Sequence, residues 1–322
     1  MNDRIVVLDG YTTNPGDLDW KPLAALGDLE VFDRTPANLV VERAAAAPYV
    51  LVNKAPLTRK SLAALPQLRY VGVLATGYNT VDLAAAKARG IIVTNTPAYA
   101  AASVAQHAAA MMLDLARGLT LHASAVRAGA WSRSPDWCLP LTSIFELTGR
   151  TLGLVGLGAI GIELARIAAA LGMRIIAFDP AFPPAERLGG VEVAPVSLDT
   201  LIEAADVISL HCPLTAATHH LIGADRLSRM KRSALVINTS RGPLIDEAAL
   251  AAALRDGVIA GAALDVLETE PPAADNPLAA APNCLVTPHV AWHAVEARRR
   301  LVQIAADNLA AFQAGAPRNV VS

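Results

Sequence analysis

The stretch 151-TLGLVGLGAIGIELARIAAALGMRIIAFD-179 decides how the chain is read. An apolar run of strand character meets Gly156-x-Gly158-x-x-Gly161 and an amphipathic helical pattern follows. A second apolar run then closes on Asp179, 18 residues beyond Gly161. Strand, glycine turn, helix and strand in this order form a βαβ unit of the dinucleotide-binding kind. The first glycine permits the tight turn, the second lets backbone approach a pyrophosphate, and the third lets helix and strand pack closely. The first helical turn, with Ala159 and Ile160, offers N–H groups and a positive dipole end to phosphates. The Asp179 carboxylate can accept from ribose hydroxyls and repels a 2′-phosphate, and Pro180 rather than an arginine follows it. NAD(H) is therefore the expected cofactor, ahead of NADP(H).

Working outward, further β-rich runs follow at 206–211, 234–240, 260–266 and 284–289, and an earlier series lies at 4–9, 49–54, 70–76 and 91–96. Helix-like segments around 36–47, 61–65 and 81–89 separate the earlier runs. Strands apolar on both faces, alternating with helices, predict parallel sheets covered on both sides, hence a doubly wound α/β fold built twice. Residues 100–129 read as one long Ala/Met/Leu helix, 131–147 as an irregular connector, and about 292–314 as a final helix.

At 322 residues, two domains are the natural division. A net charge of −2 gives no bulk attraction to nucleic acid or anionic membrane. The run Arg298-Arg299-Arg300 is read as a solvated helix face. Cys138, Cys212 and Cys284 form no C-x-x-C pair, so neither a disulfide framework nor a zinc site is indicated. The apolar run at the N-terminus is too short for a signal-peptide core, and residues 90–113 are interrupted by Asn95, Pro97, Gln106 and His107. A soluble, cytoplasmic protein is expected. His107, His122, His219 and His220 are read as packing, capping or surface residues, and no metal site is expected.

Three strand ends of the second series carry groups that can handle a substrate. Arg241, in INTSRGPLID, has a planar fork suited to a carboxylate. Asp265, Glu268 and Glu270 stand in LDVLETEPP, and His289 follows Pro288 in VTPHVAWHAVEA. Each alone can be a salt bridge or a solvated turn; together, beside a nucleotide site, they suit an oxidoreductase of 2-oxo acids.

At this point the chain resembles the D-isomer-specific 2-hydroxyacid dehydrogenase family over essentially its whole length. The matching segments are GIIVTNTPAYAAASVAQHAAAMML, TLGLVGLGAIG, LHCPLTAATHHLIG, INTSRGPLID, ALDVLETEPP and TPHVAW, in the family's order. Within it, ATGYNTVDLAAAKARGI, RSPDWC and TPHVAWHAVEARRRL look most like the glycerate dehydrogenase, or hydroxypyruvate reductase, branch.

The resemblance implies roles residue by residue. Arg241 matches the substrate-binding arginine, Glu270 its partner carboxylate and His289 the general acid/base. The backbone of Ala75, Thr76 and Gly77 matches the loop that receives the substrate carboxylate, with Trp292 a candidate wall of the pocket. Asp265 matches a residue near the nicotinamide carboxamide. His211, Cys212 and Pro213 match a strand end lining the cofactor cleft, Cys212 as a small lining residue and not a nucleophile. Val104, Thr218, Thr239 and Ser240 complete the implied cofactor contacts. Glu270 is expected to hold one imidazole nitrogen of His289 and favour imidazolium.

The resemblance further implies a Rossmann domain over 99–289 inserted in a flavodoxin-like substrate domain, 1–98 with 290–322, and a homodimer through the long helix after residue 99. The reaction implied interconverts a small 2-oxo acid and its D-2-hydroxy acid, hydroxypyruvate and D-glycerate first, glyoxylate and glycolate also. D-lactate-type and phosphoglycerate dehydrogenases remain alternatives, as does an NAD-sensing corepressor-like binding protein.

Overall fold

The structure is a computed structural model that describes residues 3–322. The chain divides into two compact units, one of residues up to Ala100 with Trp292–Ser322, the other Ala101–Ala291.

In the first unit, β1 (Arg4–Val7), β2 (Asp28–Val31), β3 (Tyr49–Val52), β4 (Tyr70–Val73) and β5 (Ile92–Thr94) form one parallel sheet in the order β2-β1-β3-β4-β5. This is the flavodoxin-like order, with its reversal between β1 and β3. The β-branched runs explain the central strands: Ile5, Val6, Val7, Val50, Leu51, Val52 and Val71 are fully buried. Each such side chain contributes about 1.5–3 kcal/mol relative to exposure. The helix Val295–Gln313 packs against β4, and Val320 bridges back to Thr94.

One expectation fails here. Arg298 is only 2% exposed, and its guanidinium grips Asp17 with Nη1 and Nη2 at 2.7 and 2.6 Å. A buried cation needs such a bidentate partner, and the alternation of the helix turns this arginine inward while Arg299 stays exposed.

In the second unit, β6 (Thr151–Val155), β7 (Arg174–Phe178), β8 (Ala194–Pro195), β9 (Val207–Leu210), β10 (Leu235–Asn238), β11 (Gly261–Leu264) and β12 (Cys284–Val286) form a seven-stranded parallel sheet. Its order is β12-β11-β10-β9-β6-β7-β8. The chain starts in the middle at β6, runs out to β8, crosses back to β9 and runs out again. Such a reversal opens a crevice at the carboxyl ends of β6 and β9, where ligands of doubly wound sheets bind.

The expected single helix over 100–129 is two, Ala101–Arg117 and Leu119–Arg127. Gly118 between them lies at φ +61°. Thr120 N donates to Asp114 Oδ1 at 2.7 Å and His122 Nδ1 meets Gly118 O at 2.6 Å, so the new helix is tied into the old one's last turn. Apolar periodicity runs through this joint, which hid it in the sequence. The first of the two packs its alanines on the helix Ala159–Ala170, with Ala105, Ala108, Ala165 and Ala168 in one buried cluster. No helix among the described residues is long and apolar enough to cross a membrane.

Candidate active site

The glycine turn sits at the reversal of the second sheet. Gly156 follows β6 at φ +96°, and a Cβ there would lie 2.7 Å from the His211 carbonyl at the end of β9. Only glycine lets the two strand ends approach this closely. A Cβ on Gly161 would meet Gly156 O at 2.5 Å, whereas one on Gly158 would meet no atom within 4 Å. The open face at Gly158 is the place where a ligand can come against backbone. The helix Ala159–Ala170 begins there with no side-chain cap, so its first-turn N–H groups remain for an anion.

Asp179 ends the neighbouring strand. Its Oδ2 accepts from Leu157 N at 2.7 Å and its Oδ1 from Ala181 N at 2.8 Å, which fixes the carboxylate beside the turn and leaves lone pairs on both oxygens. Two hydrogen-bonding atoms at the same sheet edge, His211 Nδ1 and Thr239 Oγ1, are buried with no partner among the described residues. Buried polar atoms are ordinarily satisfied, so this pair points to a bound group that satisfies them. Together with the open glycine face, they make the crevice fit a dinucleotide.

The remaining cofactor candidates are more varied. His211 Nε2 lies 2.9 Å from Ser209 Oγ, and burial pushes its pKa down to about 4, so the ring is neutral at physiological pH. Burial pushes the Cys212 thiol up to about 11, which makes it a poor nucleophile. Ser240 Oγ donates to Leu210 O at 2.7 Å, across from the end of β9. Thr218 Oγ1 donates to Pro213 O at 2.7 Å and closes its own loop. Val104 is buried in the helix Ala101–Arg117.

Glu270 and His289 are brought together. His289 Nδ1 lies 2.6 Å from Glu270 Oε2, and Glu270 Oε1 accepts from Leu267 N at 3.1 Å. His289 itself is at φ +55°, a left-handed conformation uncommon for any residue but glycine. Asp265, at the end of β11 and 1% exposed, holds that bend. Its Oδ1 accepts from Thr287 Oγ1 at 2.6 Å and Val290 N at 2.9 Å, its Oδ2 from Ala291 N at 2.8 Å, and its backbone O from His289 N at 2.8 Å. The carboxylate expected beside the carboxamide thus also shapes the histidine turn.

Two residues of this brace were missed in the sequence. Thr287 stands between Asp265 and His107, whose Nε2 is 3.0 Å from Thr287 Oγ1 and 3.5 Å from Asp265 Oδ1. The usable signal was Thr287 two residues before His289, hence on the same side of an extended segment. Nothing in the periodicity of its helix singles out His107.

Arg241 follows β10 in extended backbone, exposed, with Nη1 donating to Ser240 O at 2.6 Å, and its carbonyl is held by Asn238 Nδ2 at 2.7 Å. Gly242 behind it is obligatory, since a Cβ would lie 1.9 Å from the Leu267 carbonyl carbon. The segments bearing Arg241 and Glu270 therefore touch backbone to backbone.

Ala75, Thr76, Gly77 and Trp292 belong to the other unit. There, Ala75 O accepts from Thr96 N and Thr76 O from Asn95 Nδ2, while the three N–H groups of 75–77 donate to no acceptor among the described residues. A loop with two carbonyls tied back and N–H groups left without acceptors is suited to an anion. Trp292 packs edge-on against Tyr99 and His293. His293 precedes the final helix, with Nε2 2.9 Å from Thr12 O and its own carbonyl accepting from Arg298 Nε, a structural anchor.

Known proteins of similar sequence fit this geometry. Residues 109–291 match the model of the D-isomer specific 2-hydroxyacid dehydrogenase NAD binding domain. The chain is 45% identical over 322 residues to a hydroxypyruvate reductase of Blautia hydrogenotrophica, covering 99% of each chain. It is 45% identical over 284 residues, 88% of each, to a glycerate dehydrogenase of Methylorubrum extorquens. The apo-structure of D-lactate dehydrogenase from Escherichia coli superposes with a TM-score of 0.83 at 33% identity, covering 99% of this chain and 100% of that one. With the glycine crevice and the carboxylate–imidazole pair in place, these matches establish that the chain belongs to the D-isomer-specific 2-hydroxyacid dehydrogenase family, oxidoreductases that act on CH–OH donors.

Proposed function

We propose that this enzyme interconverts hydroxypyruvate and D-glycerate with NAD(H), and also takes glyoxylate. The observation that carries the reading is the 2.6 Å contact of Glu270 Oε2 with His289 Nδ1, on a strand end of the sheet that bears the glycine crevice. Bound nicotinamide supplies the hydride for reduction and takes it back in oxidation. His289 has Nδ1 committed to a carboxylate, so Nε2 exchanges the proton. In reduction it gives that proton to the carbonyl oxygen as C2 gains the hydride, and in oxidation neutral Nε2 removes it from the hydroxyl. Glu270 holds Nδ1 and so orients the ring. Arg241 holds the substrate and polarises its carbonyl without moving a proton.

Asp179 supports NAD(H) over NADP(H), because a 2′-phosphate would meet its charge. Thr218, Ser240 and Val104 keep their assignment as cofactor contacts, and Asp265 acts on the carboxamide side while bracing His289. A homodimer is part of the same proposal, with its face moved from the long helix to the one after it. Leu121 and Val126 on Leu119–Arg127, and Trp131 and Trp137 in the connector, are 48, 48, 51 and 87% exposed. Val126, Trp131 and Trp137 line one apolar depression with Leu139 and Leu141, and an exposed apolar surface of this kind suits a second copy. The unpaired cysteines support a reducing, cytoplasmic setting.

The test is a kcat/KM panel of hydroxypyruvate, glyoxylate, pyruvate and phosphohydroxypyruvate, each with NADH and NADPH. Hydroxypyruvate with NADH is expected to be best. No turnover of hydroxypyruvate or glyoxylate would remove the glycerate reading, and an NADPH preference would remove the role given to Asp179.

A further inference from the structure

The sequence offered no ligand cluster for His219 and His220, yet the fold supplies one. The nitrogen ligands of His219 and His220 and a carboxylate oxygen of Glu268 all lie within 4.8 Å of one another. His220 Nε2 and Glu268 Oε1 are 3.2 Å apart. Two ligands of one tetrahedral zinc ion, each bonded at about 2.0–2.1 Å, are themselves separated by about 3.3 Å, so this pair already spans an edge of the coordination figure. The third ligand, on exposed His219, has to come about 1–1.5 Å closer, and because an imidazole binds a metal in the plane of its ring, the His219 ring must also turn out of its stack on His220 by rotation about its side-chain bonds.

The three ligands come from two segments that the fold holds firmly. His219 N donates to Thr215 O at 2.9 Å and His220 N to Pro243 O at 2.8 Å. The two imidazoles stack with centroids 4.0 Å apart, and His220 sits at φ +49°. On the other side, Glu268 N donates to Glu247 Oε1, and Glu247 Oε2 accepts from Asn276 Nδ2 at 2.8 Å. Two imidazoles and one carboxylate suit a borderline ion of the zinc class; calcium or magnesium would demand more oxygen ligands.

We propose that His219, His220 and Glu268 form a binding site for a divalent transition-metal ion of the zinc class, with solvent completing its shell. The ion would clasp the loop after β9 to the segment after β11, two residues before Glu270. The site is independent of which substrate the enzyme reduces.

The test uses untagged protein carrying Cys138→Ser, which removes the exposed thiol as a rival ligand. Zinc is titrated calorimetrically, and cobalt(II) is added in parallel to read the visible absorption of a low-coordinate site. One saturable site with that absorption is expected. Glu268→Gln and His220→Asn should each weaken zinc by about 10- to 100-fold or more, since even supporting groups around a metal have effects of that size. Asparagine is chosen because it tolerates the left-handed backbone at 220. His219→Asn, at an exposed position, gives a third variant whose metal-free melting temperature should match the parent. Absence of saturable zinc, or binding unchanged in these variants, overturns the proposal.

Discussion

At His289 the backbone occupies a region that costs a non-glycine residue about 1–3 kcal/mol, and the surrounding bonds from Asp265 make that conformation persist. The strain buys aim: the ring is presented with Nδ1 toward Glu270. The identities of His289, Glu270 and Arg241 were legible as chemistry at strand ends. The bend was not, because a positive φ at histidine has no composition signature and its brace, Asp265, makes bonds across 22 to 26 positions to Thr287, Val290 and Ala291. His211 offers a test at this scale. Its folded pKa is depressed to about 4 from an ordinary value near 6.5, so the folded state takes up its proton only at lower pH than the unfolded chain. Its contribution is therefore fully present above about pH 6.5 and is lost as pH falls toward 4, by up to about 3 kcal/mol. Denaturant unfolding of the wild type and His211→Gln at pH 7.5 and 4.5 should show a smaller pH loss in the variant; equal losses would mean that the ring is not held neutral.

Among the elements, the glycine turn was legible in one line of sequence because Gly156 and Gly161 each answer a local steric demand. Gly158 separates ligand sterics from folding. A Cβ there meets nothing in the protein, so Gly158→Ala should leave the melting temperature within about 1–2 °C of wild type, within the small effect of a tolerated substitution. NADH titrated by fluorescence should bind at least about tenfold more weakly, a loss of about 1.4 kcal/mol. Unchanged affinity would show that the pyrophosphate does not pass this face. What the pattern missed were elements at margins. β2 is half-exposed at a sheet edge, β8 is two residues long, and the joint at Gly118 interrupts a periodicity that continues on both sides. Edge strands lack the two-sided burial that makes a central parallel strand readable.

Over the whole molecule, two parallel sheets could be foreseen from two series of β-rich runs, and the reversal in each strand order follows from how doubly wound sheets are built. The location of the exposed apolar face could not, since periodicity alone did not separate the buried helix Ala101–Arg117 from Leu119–Arg127. Light scattering on the wild type should give twice the chain mass. Leu121→Glu with Val126→Glu should give monomer, because a charge left in an apolar interface is uncompensated. A wild-type monomer would refute the dimer. The assignment of acid/base chemistry rests on one histidine of two that stand four residues apart, and it is settled by comparing kcat for hydroxypyruvate reduction by NADH in His289→Asn and His293→Asn. Loss of the proton donor should lower kcat by about 10²–10⁴-fold in His289→Asn, whereas His293→Asn, which removes the contact to Thr12 O and the edge contact with Trp292, should stay within about tenfold of wild type. Equal losses in the two variants would contradict the assignment of His289 as the group that moves the proton.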